Sequence, residues 1–227
     1  MKAQRCKRLV AAGVLAILAG VALWLPVGAQ AVPITFNFTG TANGLSPSLA
    51  GGPVASGDTL TGSYTFESTT VGTGACGAVT GQCNYFGAIT ALNFTVGSYT
   101  GTEFAGTNNF IFIRNDLFSF DQYLFARNFT GASINGIQPD TFAFNFGDAS
   151  MTMFSGTALP TAPPILPSFN SFQIIYNNNL TGQNGFIQGT LASLTAVPEP
   201  PTAWLFGIGF CLLALWKVRA LRMNQAA

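Results

Sequence analysis

Histidine is absent from all 227 residues, and Lys, Arg, Asp and Glu together make up only 7% of the chain. The first absence excludes Ser-His-Asp and Cys-His catalytic arrangements, His-ligated zinc and a histidine pH switch. The little charge there is lies unevenly. Of nine basic residues, Lys2, Arg5, Lys7 and Arg8 sit at the N-terminus and Lys217, Arg219 and Arg222 at the C-terminus, so residues 32–196 keep only Arg114 and Arg127. Against these two stand seven acids, Asp58, Glu67, Glu103, Asp116, Asp121, Asp140 and Asp148, which leaves that stretch at −5. Such a body has almost no cations with which to displace counterions from a nucleic-acid backbone, so nucleic acid is excluded as a partner. No Gly-rich phosphate loop ending in Lys and no dinucleotide fingerprint is present. Tryptophan is missing from the body as well, all three residues (Trp24, Trp204, Trp216) lying outside it.

The ends are what the charge segregation marks. Residues 2–8 are basic, Leu9 to Leu25 form an apolar run, and Pro26 is followed by Ala29-Gln30-Ala31, a small-residue cleavage pattern. This reads as a secretory signal peptide over residues 1–31, cut after Ala31 by signal peptidase, with the mature chain starting at Val32. At the other end, Val197-Pro198-Glu199-Pro200-Pro201 leads into an apolar stretch from Thr202 to Trp216 and then the basic residues Lys217, Arg219 and Arg222. As a helix, residues 202–216 reach about 22 Å against a hydrocarbon core of about 30 Å. Spanning therefore requires Lys217 and Arg219 to snorkel while Val218 and Leu221 extend the apolar face. Trp204 and Trp216 bracket the segment as interfacial aromatics, and the basic tail holds the C-terminus in the cytoplasm, leaving the body outside.

Residues 197–222 resemble the PEP-CTERM sorting signal of Gram-negative bacteria, through Val197-Pro198-Glu199-Pro200 (motif 197–201), the apolar helix 202–216 with Gly207 and Gly209, and the basic tail 217–222. The chain departs from the family pattern at Pro201, where Ser, Thr or Ala is usual, and in its interspersed rather than consecutive basic residues. The resemblance implies recognition by exosortase, a membrane-embedded transpeptidase, and cleavage near the Pro-Glu-Pro. It further implies transient anchoring in the inner membrane, then the cell surface or an extracellular matrix, with exopolysaccharide or biofilm as the setting. Physically, a run of prolines holds the backbone stiff and extended, which suits capture beside a bilayer. The competing reading, a proline-rich linker that only stops the helix, loses weight because signal peptide, motif, apolar stretch and basic tail occur together.

Between these ends, residues 32–196 suffice for one domain. Strict alternation of apolar and polar side chains runs through Ile34–Phe38, Leu60–Phe66, Leu92–Val96 and Phe142–Phe146, the pattern of half-buried strands with a Thr, Ser and Asn face. Phe110–Ile113 and Phe172–Tyr176 are apolar at both parities and predict central strands covered on both sides. With Leu117–Ala126 and Gly185–Leu194 they make eight or nine strands separated by Gly, Asn, Pro and Ser clusters, with no helical periodicity in the body. The fold expected is all-β, an antiparallel β-sandwich of jelly-roll type flanked by a signal helix and a C-terminal transmembrane helix. Pro160, Pro163, Pro164 and Pro167 mark Ala158–Ser168 as an extended loop.

Cys6 and Cys211 fall in the end segments, leaving Cys76 and Cys83 in the exported body within a glycine-rich loop. In an oxidising compartment a disulfide is expected, in preference to half a metal site. Chemistry would have to rest on carboxylates. Asp116 with Asp121, or Asp140 with Asp148, are the candidate acid pairs of a glycosidase, and Arg114-Asn115-Asp116 and Asn145–Ala149 the candidate calcium loops, yet nothing in their spacing favours either over solvated turns. No cofactor, metal or catalytic residue is therefore expected. The functional reading is an exported, non-enzymatic surface or matrix protein, with a lectin-like module of the same matrix as the alternative.

Overall fold

The computed structural model describes residues 33–178 and 182–198. Signal peptide, Ala29, Ala31, Glu199, Pro200, the apolar helix and Lys217, Arg219 and Arg222 lie outside the described residues.

Eleven strands are present among the described residues: β1 (Pro33–Leu45), β2 (Thr59–Glu67), β3 (Thr73–Gly74), β4 (Gly81–Phe86), β5 (Ile89–Val96), β6 (Tyr99–Glu103), β7 (Asn109–Asn115), β8 (Asp121–Gly131), β9 (Gln138–Asp148), β10 (Phe169–Asn178) and β11 (Gln183–Ala196). All pairings are antiparallel, in the order β3-β4-β7-β8-β6-β5-β2-β1-β11-β10-β9, and β9 returns to β8. The all-β antiparallel expectation holds, but the sandwich is corrected: a single sheet closes on itself. Eight strands form the ring, β1, β2, β5, β6, β8, β9, β10 and β11, each hydrogen-bonded to the next in that order. This is an up-and-down barrel whose ends are stitched by β1 against β11, Phe36 facing Ala196 and Thr41 facing Thr190. Alternation cannot tell a sandwich from a barrel, because either architecture gives each strand one core face and one wet face.

Aromatic rings fill the lumen. Tyr64 of β2 lies 4.5 Å from Phe125 of β8, centroid to centroid, and Phe38 of β1 lies 4.9 Å from Phe144 of β9. Neither pair belongs to neighbouring strands, so these contacts cross the barrel. Phe94 and Phe142 meet at 4.6 Å, and Phe142 and Phe144 at 4.9 Å, the second pair edge to face. Edge-to-face and offset rings add about 0.5–1.5 kcal/mol per pair to the burial itself. Two of the buried phenols, Tyr64 and Tyr123, hydrogen-bond each other at 3.0 Å, and burial pushes both hydroxyls above their ordinary pKa. Room for so many rings is made by glycine. A Cβ on Gly62 would stand 2.4 Å from both the Phe38 ring and the Asn93 carbonyl.

The outer wall is Thr, Ser and Asn, cross-linked by side-chain hydrogen bonds such as Thr35 to Thr65 (2.8 Å), Thr39 to Ser193 (2.7 Å) and Asn93 to Ser63 (2.9 Å). The β7 and β10 segments are covered on one side only, contrary to the expectation from their sequence. Ile111 and Ile113 are buried whereas Phe110 and Phe112 of the opposite face are half-exposed, and likewise Phe172, Ile174 and Tyr176 are buried above half-exposed Gln173 and Ile175.

Truncating a ring that crosses the lumen leaves a cavity that close-packed neighbours cannot refill. Phe144→Ala is expected to lower the free energy of unfolding by about 3–5 kcal/mol, and Gly62→Ala, which drives a methyl into Phe38 and a carbonyl, by about 1–3 kcal/mol. Urea titration followed by tyrosine fluorescence measures both.

Candidate functional site

The two ends of the barrel differ sharply. At one end lie the β5–β6 and β8–β9 turns, the end of β10 and the start of β11, and the longer β1–β2 connection folds inward, burying Leu49 and Val54 beside Ile134 and Ile137. At the other end lie the start of β1, the end of β11 and every long insertion: 68–88, 104–120 and 149–168. The first two insertions carry β3, β4 and β7. These continue the sheet outward from β8, whose free edge is shared between β7 (Asn109 to Arg114 facing Arg127 to Gln122) and β6 (Gly101 to Glu103 facing Gly131 to Phe129). A three-stranded wing therefore branches off the barrel where β8 changes partner.

Cys76 and Cys83 form the expected disulfide, with Cα atoms 4.8 Å apart, closing the turn between β3 and β4. Gly72 packs directly on it; a Cβ there would lie 2.3 Å from the Cys83 sulfur. The disulfide loop is then pinned to the 149–168 connection by fully buried Thr157. Its hydroxyl donates to the Ala75 carbonyl and accepts the Ala78 N–H at 3.1 Å, its N–H donates to the Ala78 carbonyl at 2.9 Å, and its carbonyl accepts the Tyr85 hydroxyl at 2.7 Å.

Asp121 is the second node of this end. It is fully buried at the start of β8, and its carboxylate accepts three backbone N–H groups: Asp116 at 2.8 Å on one oxygen, Met153 at 3.1 Å and Phe154 at 3.2 Å on the other. One side chain thereby fixes the β7–β8 turn and the 149–168 connection together. The turn needs fixing, since Asp116 (φ 52°), Phe118 (φ 58°) and Ser119 (φ 57°) all occupy the left-handed region, costing roughly 1–2 kcal/mol for each L-residue. Asn115, buried beside them, donates to the Val79 carbonyl and ties the turn to the disulfide loop.

The carboxylate pairs read from the sequence come apart. Asp140 and Asp148 sit near opposite ends of β9, roughly 27 Å apart at about 3.4 Å per residue, far beyond glycosidase spacing. Asp116 and Asp121 are close, but both oxygens of Asp121 serve as backbone acceptors, so the residue acts as an anchor of the loops. Asp148 is exposed and accepts from Ser150 (hydroxyl 2.6 Å, N–H 2.9 Å) and from Thr152 (N–H 2.9 Å, hydroxyl 3.1 Å). Those donors, the Ser150 hydroxyl first and the Thr152 and Ser150 amides next, hold its pKa down at about 2. It borders an open cleft of about 420 Å³ together with Met153, Ile165 and Pro167. Among the described residues no three acidic or cysteine side chains converge as metal ligands, and the candidate calcium loops contribute Asp116 and Asp148 to separate turns.

The two cations of the body occupy opposite faces of the branch. Arg127 lies on the β8 face that carries Phe125 and Phe129, is only 9% exposed, and its Nε has no hydrogen-bond partner; desolvation lowers its pKa, opposed by Glu103 nearby. Arg114 lies on the outer wing face, its guanidinium 5.5 Å from the Phe112 ring centroid and 6.0 Å from that of Phe118. On the same face Phe86 and Phe110 face each other across β4 and β7 at 6.2 Å.

Thr157 and Arg127 were not singled out by sequence reasoning, and Asp121 was named only as half of a candidate acid pair, not as an anchor of loops. Asp121 had a weak signal, an acid closing a turn that starts at another acid, while nothing local distinguishes Thr157 from the other threonines. Compared with known proteins, the chain matches no family model, no curated protein and no solved structure.

Asp121→Ala strands buried amide donors on two loops, and the expected loss is roughly 3 kcal/mol of stability, read by denaturant titration. For Asp148 the folded pKa is depressed, so its contribution is present above the ordinary carboxylate range near 4 and is lost as pH falls through about 2. Carboxyl-carbon NMR should follow that midpoint, and Ser150→Ala should move it upward.

Proposed function

We propose that the chain is an exported, non-enzymatic surface or matrix protein, delivered by a cleavable signal peptide and processed at a PEP-CTERM signal by an exosortase-type transpeptidase. The observation that carries this reading is the succession Val197-Pro198-Glu199-Pro200, apolar residues 202–216 and Lys217, Arg219 and Arg222, set directly after a strand that ends at Ala196. The position of that strand end supports it. The Val197 N–H still bonds to the Thr35 carbonyl at 2.9 Å, so the last strand's pairing finishes at the first residue of the motif. The disulfide supports an oxidising destination. The absence of histidine from the sequence and the use of Asp121 as a structural acceptor support a scaffold in preference to a catalyst.

A lectin-like module of the same matrix is the second reading, favoured by the outer wing face, where Phe86, Phe110 and Phe112 stand beside Asn84, Gln82 and Arg114. Rings and amides on one open sheet face are the groups that stack on and hydrogen-bond to sugars. Saturable binding of the mature protein to purified exopolysaccharide, abolished by Phe86→Ser with Phe112→Ser, would support that module over a purely structural component.

Processing is read by intact mass spectrometry of the surface-localised protein. The expected species begins at Val32 and lacks Lys217 to Ala227; a Glu199→Ala variant should retain that tail. Recovery of the wild-type chain with the tail attached would replace processing by permanent anchoring.

A further inference from the structure

Most of the exposed large apolar side chains among the described residues are gathered at one end of the barrel. Phe186 lies toward the opposite end and Phe86 and Phe104 lie beside Ala126 and Asn128 in the barrel wall, while the others sit on the insertions and strand ends of the end where β1 begins and β11 finishes. They include Val71 (90% exposed), Phe118 (83%), Ile165 (77%), Val79 and Phe169. At the opposite end the described residues of the connections keep the large apolar side chains Leu49, Val54, Ile134 and Ile137 inside. Exposed apolar loops concentrated at one pole mark a contact surface. These loops are also held in place, by Asp121, Thr157 and the Cys76–Cys83 disulfide, so presenting them costs little further ordering.

Their occupant follows from the chain that leaves at this end. Between Val197 and Thr202, where the apolar stretch starts, there are five steps of proline-rich chain, which span about 16 Å at most in a polyproline conformation. The headgroup layer itself takes up about 5–8 Å of that distance. A body tethered so closely by a membrane-inserted 202–216 segment has its loop-bearing pole at the bilayer surface. We infer that in the anchored precursor this pole rests on the membrane, with Phe118, Ile165, Phe169 and their neighbours inserted among the lipid headgroups. The inference rests on reading 202–216 as a membrane span. The partner is a lipid bilayer and the attraction is apolar: Glu67, Asp116 and Asp148 lie at this pole against Arg114, so charge does not draw it to an anionic surface. The contact would hold the Pro-Glu-Pro segment at a fixed height for a membrane-embedded enzyme.

The test uses the full chain, with Cys6 and Cys211 replaced by Ser and the disulfide intact, reconstituted in phosphatidylcholine vesicles. An environment-sensitive fluorophore is attached at Phe118→Cys, Ile165→Cys or, on the opposite pole, Ser56→Cys; all three sites are exposed, so labelling leaves the core untouched. The expected result is co-flotation with the vesicles, blue-shifted emission at 118 and 165 that is quenched by headgroup nitroxide lipid, and neither effect at 56. The contact should persist in high salt, as an apolar one does. Co-flotation with all three labels equally unquenched would overturn the membrane contact while leaving the anchor reading intact. Failure to co-float would overturn both, and loss of the quenching in high salt would overturn its apolar character.

Discussion

Closure of the barrel depends on the long antiparallel ladder between β1 and β11, the first and last strands of the body. Without it the sheet would end in two long edges, and the rings that meet across the lumen, Tyr64 on Phe125 and Phe38 on Phe144, would have only one wall to pack against. The energetics are mutual. Rings too large to be covered by a single sheet layer favour its curling, and curling brings β1 and β11 together so that neither is left as an edge. The most local contacts are hairpins, but the one that completes the fold joins residues about 150 positions apart, such as Thr39 and Ser193. A chain of this topology forms its core late and all at once.

The eight longest-patterned segments were legible in the sequence, most of them through a period of two, and the wet face was legible as Thr and Ser at the alternate positions of β1, β2 and β5, whereas the short strands β3, β4 and β6 carry too few alternating residues to be read. What could not be read was how the strands close. Phe110–Ile113 illustrates the limit. Apolar at both parities, it implied cover on two sides, and the wing in fact leaves Phe110 and Phe112 half-exposed on an outer face. Runs of aromatic residues signal burial only when something lies above them, and that information is non-local. The disulfide was legible because two cysteines in an exported body have few other uses. The anchoring role of Asp121 was not, because its three donors come from residues 116, 153 and 154, two of them more than thirty positions away. The routing residues read from the sequence lie largely outside the described fold, which bears on them only through where β11 stops.

The scarcity of charge has a structural counterpart. Where another domain would solvate its outer wall with Lys and Glu, this one uses hydroxyls and amides that also bond one another across strands, as Thr35 does with Thr65 and Asn93 with Ser63. Each such pair adds a few tenths to about 1 kcal/mol, and none is weakened by salt in the way an ion pair is. The cations that do remain are held close to aromatic or buried surroundings, Arg114 over two phenylalanine rings and Arg127 on the inner face of β8.

These features divide the molecule into a plain pole and an elaborated one. An up-and-down meander needs only short turns, and three of the four connections at the plain pole are short. Apart from the β1–β2 connection, the chain length beyond that minimum lies at the pole where β1 begins and β11 ends, and it is fixed there by a disulfide, a buried threonine and a buried carboxylate. Rigid loops with exposed apolar tips are costly to keep in water. Left-handed Phe118, held on a turn by the Asp121 carboxylate with its ring outward, bears both a backbone and a solvation cost. Neither cost is needed for closure of the barrel, since the ring of eight strands closes without the wing. The elaborated pole therefore carries what barrel closure does not require: rigid loops with apolar tips, at the end where Val197 leaves the last strand.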